Sequence, residues 1–420
     1  MEENHVHKMS IFESPPTDTT IQVREWIEFR PVNQLGEDAA IEFHVNPQST
    51  GYMDLKQSRL NVKIKVTQSD GSSVTDQDVA ALVNLPLHSM FSNVECQLQQ
   101  KIVSDMGTNY PYKAYIDTLL STEQSKHILN SSQLFVKDYS GQFDDADAKN
   151  GPNMGLFERW NYTKDGGVID LEGPLLLDVF QQERLILNGV TLDLKLWPSK
   201  NAFRLMSASD SPNEKLKIVD ATLKMCIQRP NPALTMAHAK LLEESSAIYP
   251  YMTSSIKIAS IAEGEFSFSA DNMFQGEVPS QLILGLVSSR AYSGDYKKSP
   301  FNFQHFDCNV VALYVDGQSL PSKPLQPQFR NNNYLNAYQT LKSVNDSIWI
   351  SREEYAKGYT FYVLDINPYV DFNVKRRANC RLELRFAKAL PESVTLIMYG
   401  KFPVTLHGPR TWKPAEKCDE

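Results

Sequence analysis

Eight histidines, five cysteines and fifty acidic residues give this chain material for chemistry, and their spacing decides what they can do. His88 lies in Leu87-His88-Ser89-Met90-Phe91. A general base there would need a nucleophile or carboxylate within hydrogen-bond reach, and no such set assembles along the chain. His88 is therefore expected to be a buried or strand-end structural residue. Tyr110, Tyr112 and Tyr115 could stack on a sugar, but tyrosines at helical spacing more often pack an element against a sheet. Asp144, Asp145 and Asp147 offer oxygens to calcium, yet the run lacks the glycine and closing glutamate of an EF-hand loop and reads as a solvated acidic loop. Lys375-Arg376-Arg377 reads as a solvated turn before a strand at Cys380. Cys96, Cys226, Cys308, Cys380 and Cys418 form no CxxC pair, so free thiols in a reducing compartment are expected, with Cys96 and Cys226 serving as small hydrophobes. Phosphate-loop, dinucleotide, nucleophile-elbow and zinc-protease signatures are absent. No catalytic residue, cofactor or metal site is assigned.

The elements that hold these residues are mostly strands. Leu60, Val62, Ile64 and Val66 alternate with Asn61, Lys63 and Lys65; Val94, Cys96 and Leu98 alternate with Glu95 and Gln97. The same period of two recurs at Leu192, Leu194 and Leu196, at Leu223, Met225 and Ile227, and at Leu382, Leu384 and Phe386. A period of two marks half-buried antiparallel strands. The clearest helical pattern is Tyr112, Tyr115, Ile116, Leu119 and Leu120. Residues 232–244 read either as a second helix or as a linker. Strands without intervening helices exclude a doubly wound α/β fold. The 420 residues exceed what one core usually serves, so two domains are expected. A net charge of −8 gives no basic footprint for phosphates, and no 18-residue apolar run or apolar N-terminal stretch predicts membrane insertion or secretion.

The chain also repeats itself. Ser58-Arg59-Leu60-Asn61-Val62-Lys63-Ile64 parallels Ser280-Gln281-Leu282-Ile283-Leu284-Gly285-Leu286, and residues 94–103 parallel 311–320. Tyr112-Lys113-Ala114-Tyr115 is matched by Leu335-Asn336-Ala337-Tyr338. Leu192-Asp193-Leu194-Lys195-Leu196 is matched by Leu382-Glu383-Leu384-Arg385-Phe386, and Ala221-Thr222-Leu223 by Val394-Thr395-Leu396. One supersecondary unit used twice is expected. Eight short strands per half with a small helix between an early and a late set suit a jelly roll. Strand signals thin out over residues 121–184, a long excursion, and residues 288–305 are expected to occupy a similar place in the second half.

Two blocks carry a family likeness. Leu87-His88-Ser89-Met90-Phe91-Ser92-Asn93-Val94, followed by Asn109-Tyr110-Pro111-Tyr112-Lys113-Ala114-Tyr115-Ile116-Asp117-Thr118-Leu119-Leu120, resembles the most recognisable block of the major capsid proteins of Polinton (Maverick) elements. Asp178-Val179-Phe180-Gln181, Asn188-Gly189-Val190 and Ser199-Lys200-Asn201-Ala202-Phe203-Arg204-Leu205-Met206 resemble the same family, as does the opening Trp26-Ile27-Glu28-Phe29. The detailed match covers the first 206 residues, and the second half fits by length and strand pattern. The resemblance implies an all-β double jelly roll, related in architecture to adenovirus hexon and to virophage and tectivirus coat proteins. It also implies homotrimers.

The expected organisation is an N-terminal arm over residues 1–22, a first jelly roll over 23–230, a linker or helix over 231–245, a second jelly roll over 246–407 and a tail over 408–420. The expected function is a structural capsid protein, not an enzyme, whose homotrimers mimic hexamers and tile an icosahedral shell. The expected partners are further copies of itself and a minor single jelly-roll penton protein, with packaged double-stranded DNA contacted only indirectly and no membrane insertion. Synthesis inside the host cell and residence in the virion follow from that reading. The alternative is a glycan-binding or glycan-processing double β-sandwich, which would need carboxylates converging in a cleft with aromatic platforms. A host-domesticated descendant would share the fold without the virion role.

Overall fold

The protein's structure is a computed structural model that describes residues 19–46, 51–75, 78–105, 107–122, 131–366 and 377–408. The first half carries strands β1 (Ile21–Phe29), β2 (Ile41–Val45), β3 (Tyr52–Gln68), β4 (Ala81–Leu82), β5 (Phe91–Leu98), β6 (Lys101–Asp105), β7 (Ile169–Pro174), β8 (Leu192–Pro198), β9 (Leu205–Met206) and β10 (Glu214–Pro230). The second half carries β11 (Ile248–Ile261), β12 (Ser267–Asp271), β13 (Gln281–Ser288), β14 (Cys308–Val315), β15 (Gln318–Leu325), β16 (Phe361–Asp365), β17 (Cys380–Phe386) and β18 (Val394–His407). The longer helices are α1 (Tyr110–Ser121), α2 (Met154–Thr163) and α3 (Pro232–Glu244).

The duplication is visible in the strand order. The first half pairs its strands as β1-β10-β3-β7 and β2-β8-β5-β6; the second pairs its own as β11-β18-β13-β16 and β12-β17-β14-β15. Mapping β1, β2, β3, β5, β6, β7, β8 and β10 onto β11 to β18 in sequence order converts one pattern into the other. Each of the five sequence matches falls on a mapped pair of strands or on the helix before β7 or β16. The β5–β6 and β14–β15 connections are both two-residue hairpins with left-handed backbone at both positions: Gln99 and Gln100 in one, Asp316 and Gly317 in the other. Two positive-φ residues match the right-handed twist of the flanking strands. Each half is a jelly-roll sandwich closed by packing one four-stranded sheet on the other, with Leu60, Val62, Ile64 and Val66 of β3 facing inward.

Several expectations need correction. The long excursion expected over residues 121–184 is interrupted by a strand: β7 lies inside it, paired with β3 from Arg59↔Pro174 to Ile64↔Ile169. Its short Ile169-Asp170-Leu171-Glu172 alternation ends at Gly173-Pro174, which hid it. Residues 288–305 do not mirror that excursion either. They join β13 to β14, whereas the counterpart of the β6–β7 excursion is the β15–β16 segment, residues 326–360. Strand pairing starts at Ile21↔Pro230, inside the expected arm. Residues 1–18, 409–420, Lys375 and Arg376 lie outside the described residues, whereas Gly408 donates its N–H to Ala247 O at 2.7 Å. Residues 232–244 are helical, capped where the Asn231 side chain accepts from Ala233 N, with Pro232 in the first turn.

Candidate functional site

For a chain built as two sandwiches, the residues that fix one half against the other are the ones with most to decide. Helix α1 lies between the halves. Pro111 in its first turn suits a helix start, and every residue from Tyr110 to Leu120 except Asp117 is buried. A helix apolar on one face only would leave the other in water. This one carries Tyr112 and Tyr115 toward the second half, together with the charged pair Lys113 and Asp117, four residues apart on one face.

Tyr115 stacks on Phe301 with ring centroids 4.1 Å apart and planes 4° from parallel. Tyr112 meets Phe301 and Phe303 edge-on and stacks on Tyr292, while Phe203 closes the cluster from the first half. Stacked and edge-on aromatic pairs each add about 0.5–1.5 kcal/mol beyond burial. The Tyr112 and Tyr115 hydroxyls have no hydrogen-bond partner, so these rings act here as hydrocarbon.

Beside the aromatics sits an ionic knot. Lys113, 1% exposed, places Nζ 2.7 Å from Asp117 Oδ2 and 3.1 Å from Asp178 Oδ1. Asp178 in turn accepts from Ser254 N at 2.7 Å and from Ser254 Oγ at 2.9 Å, both in β11. Tyr399 of β18 donates its hydroxyl to Asp117 Oδ1 at 2.8 Å, and Lys401 lies 3.9 Å from the same oxygen. Burial by itself would lower the Lys113 pKa, but Asp117 and Asp178 outweigh it and hold the ammonium well above its ordinary value. Burial would likewise raise Asp117; Lys113, Lys401 and the Tyr399 hydroxyl hold it below the usual carboxylate range. Two lysines and two aspartates thus balance one another across the two halves.

His88 is tied to the first residue of α1. It sits on the single-turn helix Pro86–Ser89, entered through Leu85 with φ 53°. Its Nδ1 lies 2.8 Å from the Tyr110 hydroxyl and its Nε2 2.8 Å from Gln133 Oε1. An amide oxygen only accepts, so Nε2 carries the proton and Nδ1 accepts from the tyrosine. Burial lowers the pKa to about 4, which keeps the imidazole neutral. Both ring nitrogens are occupied, and no lone pair remains for proton abstraction.

A second buried knot anchors the β6–β7 excursion. Arg159 of α2 places Nη2 2.6 Å from Asp138 Oδ1 and donates Nε to Leu82 O and Nη1 to Val136 O. Asn84 and Asn153 donate to the same carboxylate, and Tyr359 of the second half donates its hydroxyl to Asp138 O at 2.7 Å. Phe143 packs edge-on against Tyr359, and Lys137 pairs with Glu354 at 2.7 Å. The two excursions therefore interlock, and the β13–β14 connection joins them through Lys298 and Asp144. The acidic run is less solvated than expected. Asp144 accepts from Ser299 N, Asp145 from Asp147 N, and Asp147 from Lys149 N and Asn150 N, so these half-buried carboxylates hold backbone amides.

The residues singled out by the family likeness divide accordingly. His88, Tyr110, Tyr112, Tyr115, Asp178 and Phe203 meet at the joint. Leu87, Ser89, Phe91, Val94, Ala114, Leu119 and Phe180 are buried around it, and Leu205 and Met206 form β9, paired with β4. Asn188 and Gly189 lie apart, in the turn before β8 where Gly189 has φ 79° and its carbonyl accepts from Gln99. Sequence reasoning missed Ser254, Phe301, Phe303, Tyr399 and Lys401, because their partners lie more than 75 residues away along the chain. The Lys113 and Asp117 spacing was a usable signal for the joint.

A cleft of about 460 Å³ opens beside the knot, lined by Asp117, Gln133, Asp178, Gln181, Tyr399 and Lys401. Its two carboxylates converge, but on Lys113; glycoside cleavage needs one carboxyl free to donate a proton and another free to attack or activate water. Among the described residues no three His, Cys, Asp or Glu side chains group to hold a metal, and no helix is long and apolar enough to cross a membrane.

No family model matches the chain. An uncharacterized protein of Caenorhabditis elegans is 25% identical over 414 residues, covering 92% of this chain and 96% of that protein. Among solved structures, a chain of the Sputnik virophage cryo-EM structure aligns over 95% of this chain and 90% of its own, at TM-score 0.67 and 13% identity. The Faustovirus major capsid protein aligns over 96% and 94%, at TM-score 0.63 and 8% identity. The mavirus major capsid protein aligns over 93% and 92%, at TM-score 0.52 and 12% identity. The chain has the double jelly-roll fold of these viral capsid proteins. The alignments cover more than nine-tenths of the chain, so they take in the second jelly roll, where the sequence likeness was diffuse.

Proposed function

We propose that this chain is the major structural protein of a virus-like shell of the Polinton type, and that its work is assembly and not catalysis. The observation that carries the reading is the joint. Two equivalent sandwiches are locked side by side by a largely buried helix, an aromatic stack and a charge-balanced ionic knot. Three such chains about a threefold axis present six similar sandwiches, a hexagonal tile made from three polypeptides. A rigid joint serves that purpose, because any swing between the halves would distort the hexagon. Fold alone does not assign function, and here the site agrees with it: the polar groups that converge are consumed in holding the halves together.

In this reading the interlocked excursions, residues 131–168 and 326–360 with 288–305, form the outer tower or intersubunit clasps, and the termini tie capsomers to neighbours or to a minor penton protein. The overall charge of −8 leaves DNA contact to a local inner patch or another protein. The particle is the expected location, with synthesis inside the host cell. Light scattering of the purified chain, followed by negative-stain imaging of the same fraction, tests the reading. A stable trimer with hexagonal outlines or closed shells supports it. A monodisperse monomer across concentration and salt refutes the self-assembling capsomer.

A further inference from the structure

We infer that the outer face of the sheet β1-β10-β3-β7, centred on Trp26, is an intersubunit surface covered by the β15–β16 excursion of a second copy. The inference rests on the trimeric reading above and adds which surfaces meet.

The argument starts from an inequality between duplicated parts. In the second half, the corresponding sheet β11-β18-β13-β16 is covered on both sides. Gly400 of β18 faces its own sandwich, where an added Cβ would stand 2.9 Å from Phe274. Ile397 and Tyr399 alternate with it and face the first half, and both are buried. Their cover is the first half's β6–β7 excursion, through α1, and Asp178. In the first half, β1 and β10 hold the places of β11 and β18, and Trp26 pairs with Cys226 across them. Yet among the described residues nothing in the same chain covers this row: Trp26 is 49% exposed, and Arg24 and Glu28 stand open on the same face of the strand. A half-exposed tryptophan on a sheet face whose duplicate is buried marks an unfilled contact.

The complementary surface is also unused. The first half's excursion packs on the second half, but among the described residues the second half's own excursion has no such sheet beneath it in the same chain. Leu335-Asn336-Ala337-Tyr338 stands where Tyr112-Lys113-Ala114-Tyr115 stands, and Leu335 is 41% exposed, with Gln339 and Lys342 open to solvent beside it. The joint is heterologous: it uses an excursion from one half and a sheet face from the other. A heterologous contact repeated by rotation leaves one copy of each surface free per chain, and a closed ring consumes both. The partner is therefore another copy of this chain, with Lys342 set against the face bearing Trp26 and Glu28, where an ammonium over an indole and near a carboxylate is favourable.

The test uses the full chain with Cys418→Ser, because the remaining four cysteines are buried. Arg24→Cys and Lys342→Cys are made on separate chains, mixed, and treated with a short bis-maleimide; Trp26→Glu is followed by light scattering and circular dichroism. The expected result is a covalent dimer only in the mixture, and a trimer dissociation constant raised at least tenfold by Trp26→Glu with the thermal unfolding of the chain unchanged. If the parent forms trimers but Trp26→Glu trimerises equally well and the mixture gives no cross-link, the assignment of this face is wrong while the trimer stands. If the parent stays monomeric at every concentration, both readings fall together.

Discussion

Lys113→Met is the substitution that weighs the joint. Methionine matches the lysine stem in length and removes the ammonium that Asp117 and Asp178 share. Breaking a buried ion pair by deleting one partner costs about 3–5 kcal/mol, because the remaining charge stays buried without compensation. Here part of the compensation survives. Asp178 keeps both Ser254 donors, and Asp117 keeps the Tyr399 hydroxyl and the more distant Lys401. The expected loss is therefore at the low end, about 3 kcal/mol. Urea unfolding followed by circular dichroism at neutral pH reads this as a lower midpoint. A second signature separates charge from packing. In the variant one of the two carboxylates has its pKa raised in the folded state, so protonation favours folding and the deficit against the parent narrows as pH falls from neutrality. A loss below about 0.5 kcal/mol, typical of a surface substitution, would refute the knot as a structural element. A loss of the expected size that does not narrow in acid would assign it to packing.

Two tyrosines of the same joint should respond in opposite ways. Tyr399→Phe removes a donor to a carboxylate and is expected to cost about 1.5–3 kcal/mol, whereas Tyr115→Phe removes a buried hydroxyl without a partner and is expected to be neutral or stabilising in the same unfolding assay. His88 makes the fold acid-sensitive. Its folded pKa of about 4 lies below the ordinary 6.5, so the unfolded chain binds the extra proton between those values and stability falls as pH drops through that window, by up to about 1.4 kcal/mol per pH unit. Unfolding midpoints from pH 6.5 to 4 should show a slope reduced by about one proton in His88→Gln, and an unchanged slope would remove His88 from the account. Gly285→Ala puts a Cβ 2.6 Å from the Phe303 ring and is expected to cost about 1–3 kcal/mol by overpacking, read as a lower thermal midpoint.

The sequence by itself determined the class of fold and its duplication. Alternation along β3, β5, β8 and β17 is a local property, set by which side chains can face a core, and needs no knowledge of where the partner strand lies. It also marked α1, whose apolar spacing and Lys113–Asp117 pair stand within one stretch of chain. It misplaced what depends on connection. The strand β7 was lost because six residues ending in Gly-Pro carry little period-two signal, and the β13–β14 loop was matched to the wrong excursion because length alone does not say which strands a loop joins. The meaning of the motif residues was decided only by tertiary structure. Asp178, Tyr115 and Phe203 carry no sign in sequence that they face Ser254 and Phe301 across a joint, since a side chain's partner in a sandwich is fixed by how sheets stack. Likewise the acidic run Asp144, Asp145 and Asp147 became an anchor for backbone amides only once the excursions folded over one another. Local periodicity reports which face is buried; what it is buried against is a long-range fact that only the folded chain supplies.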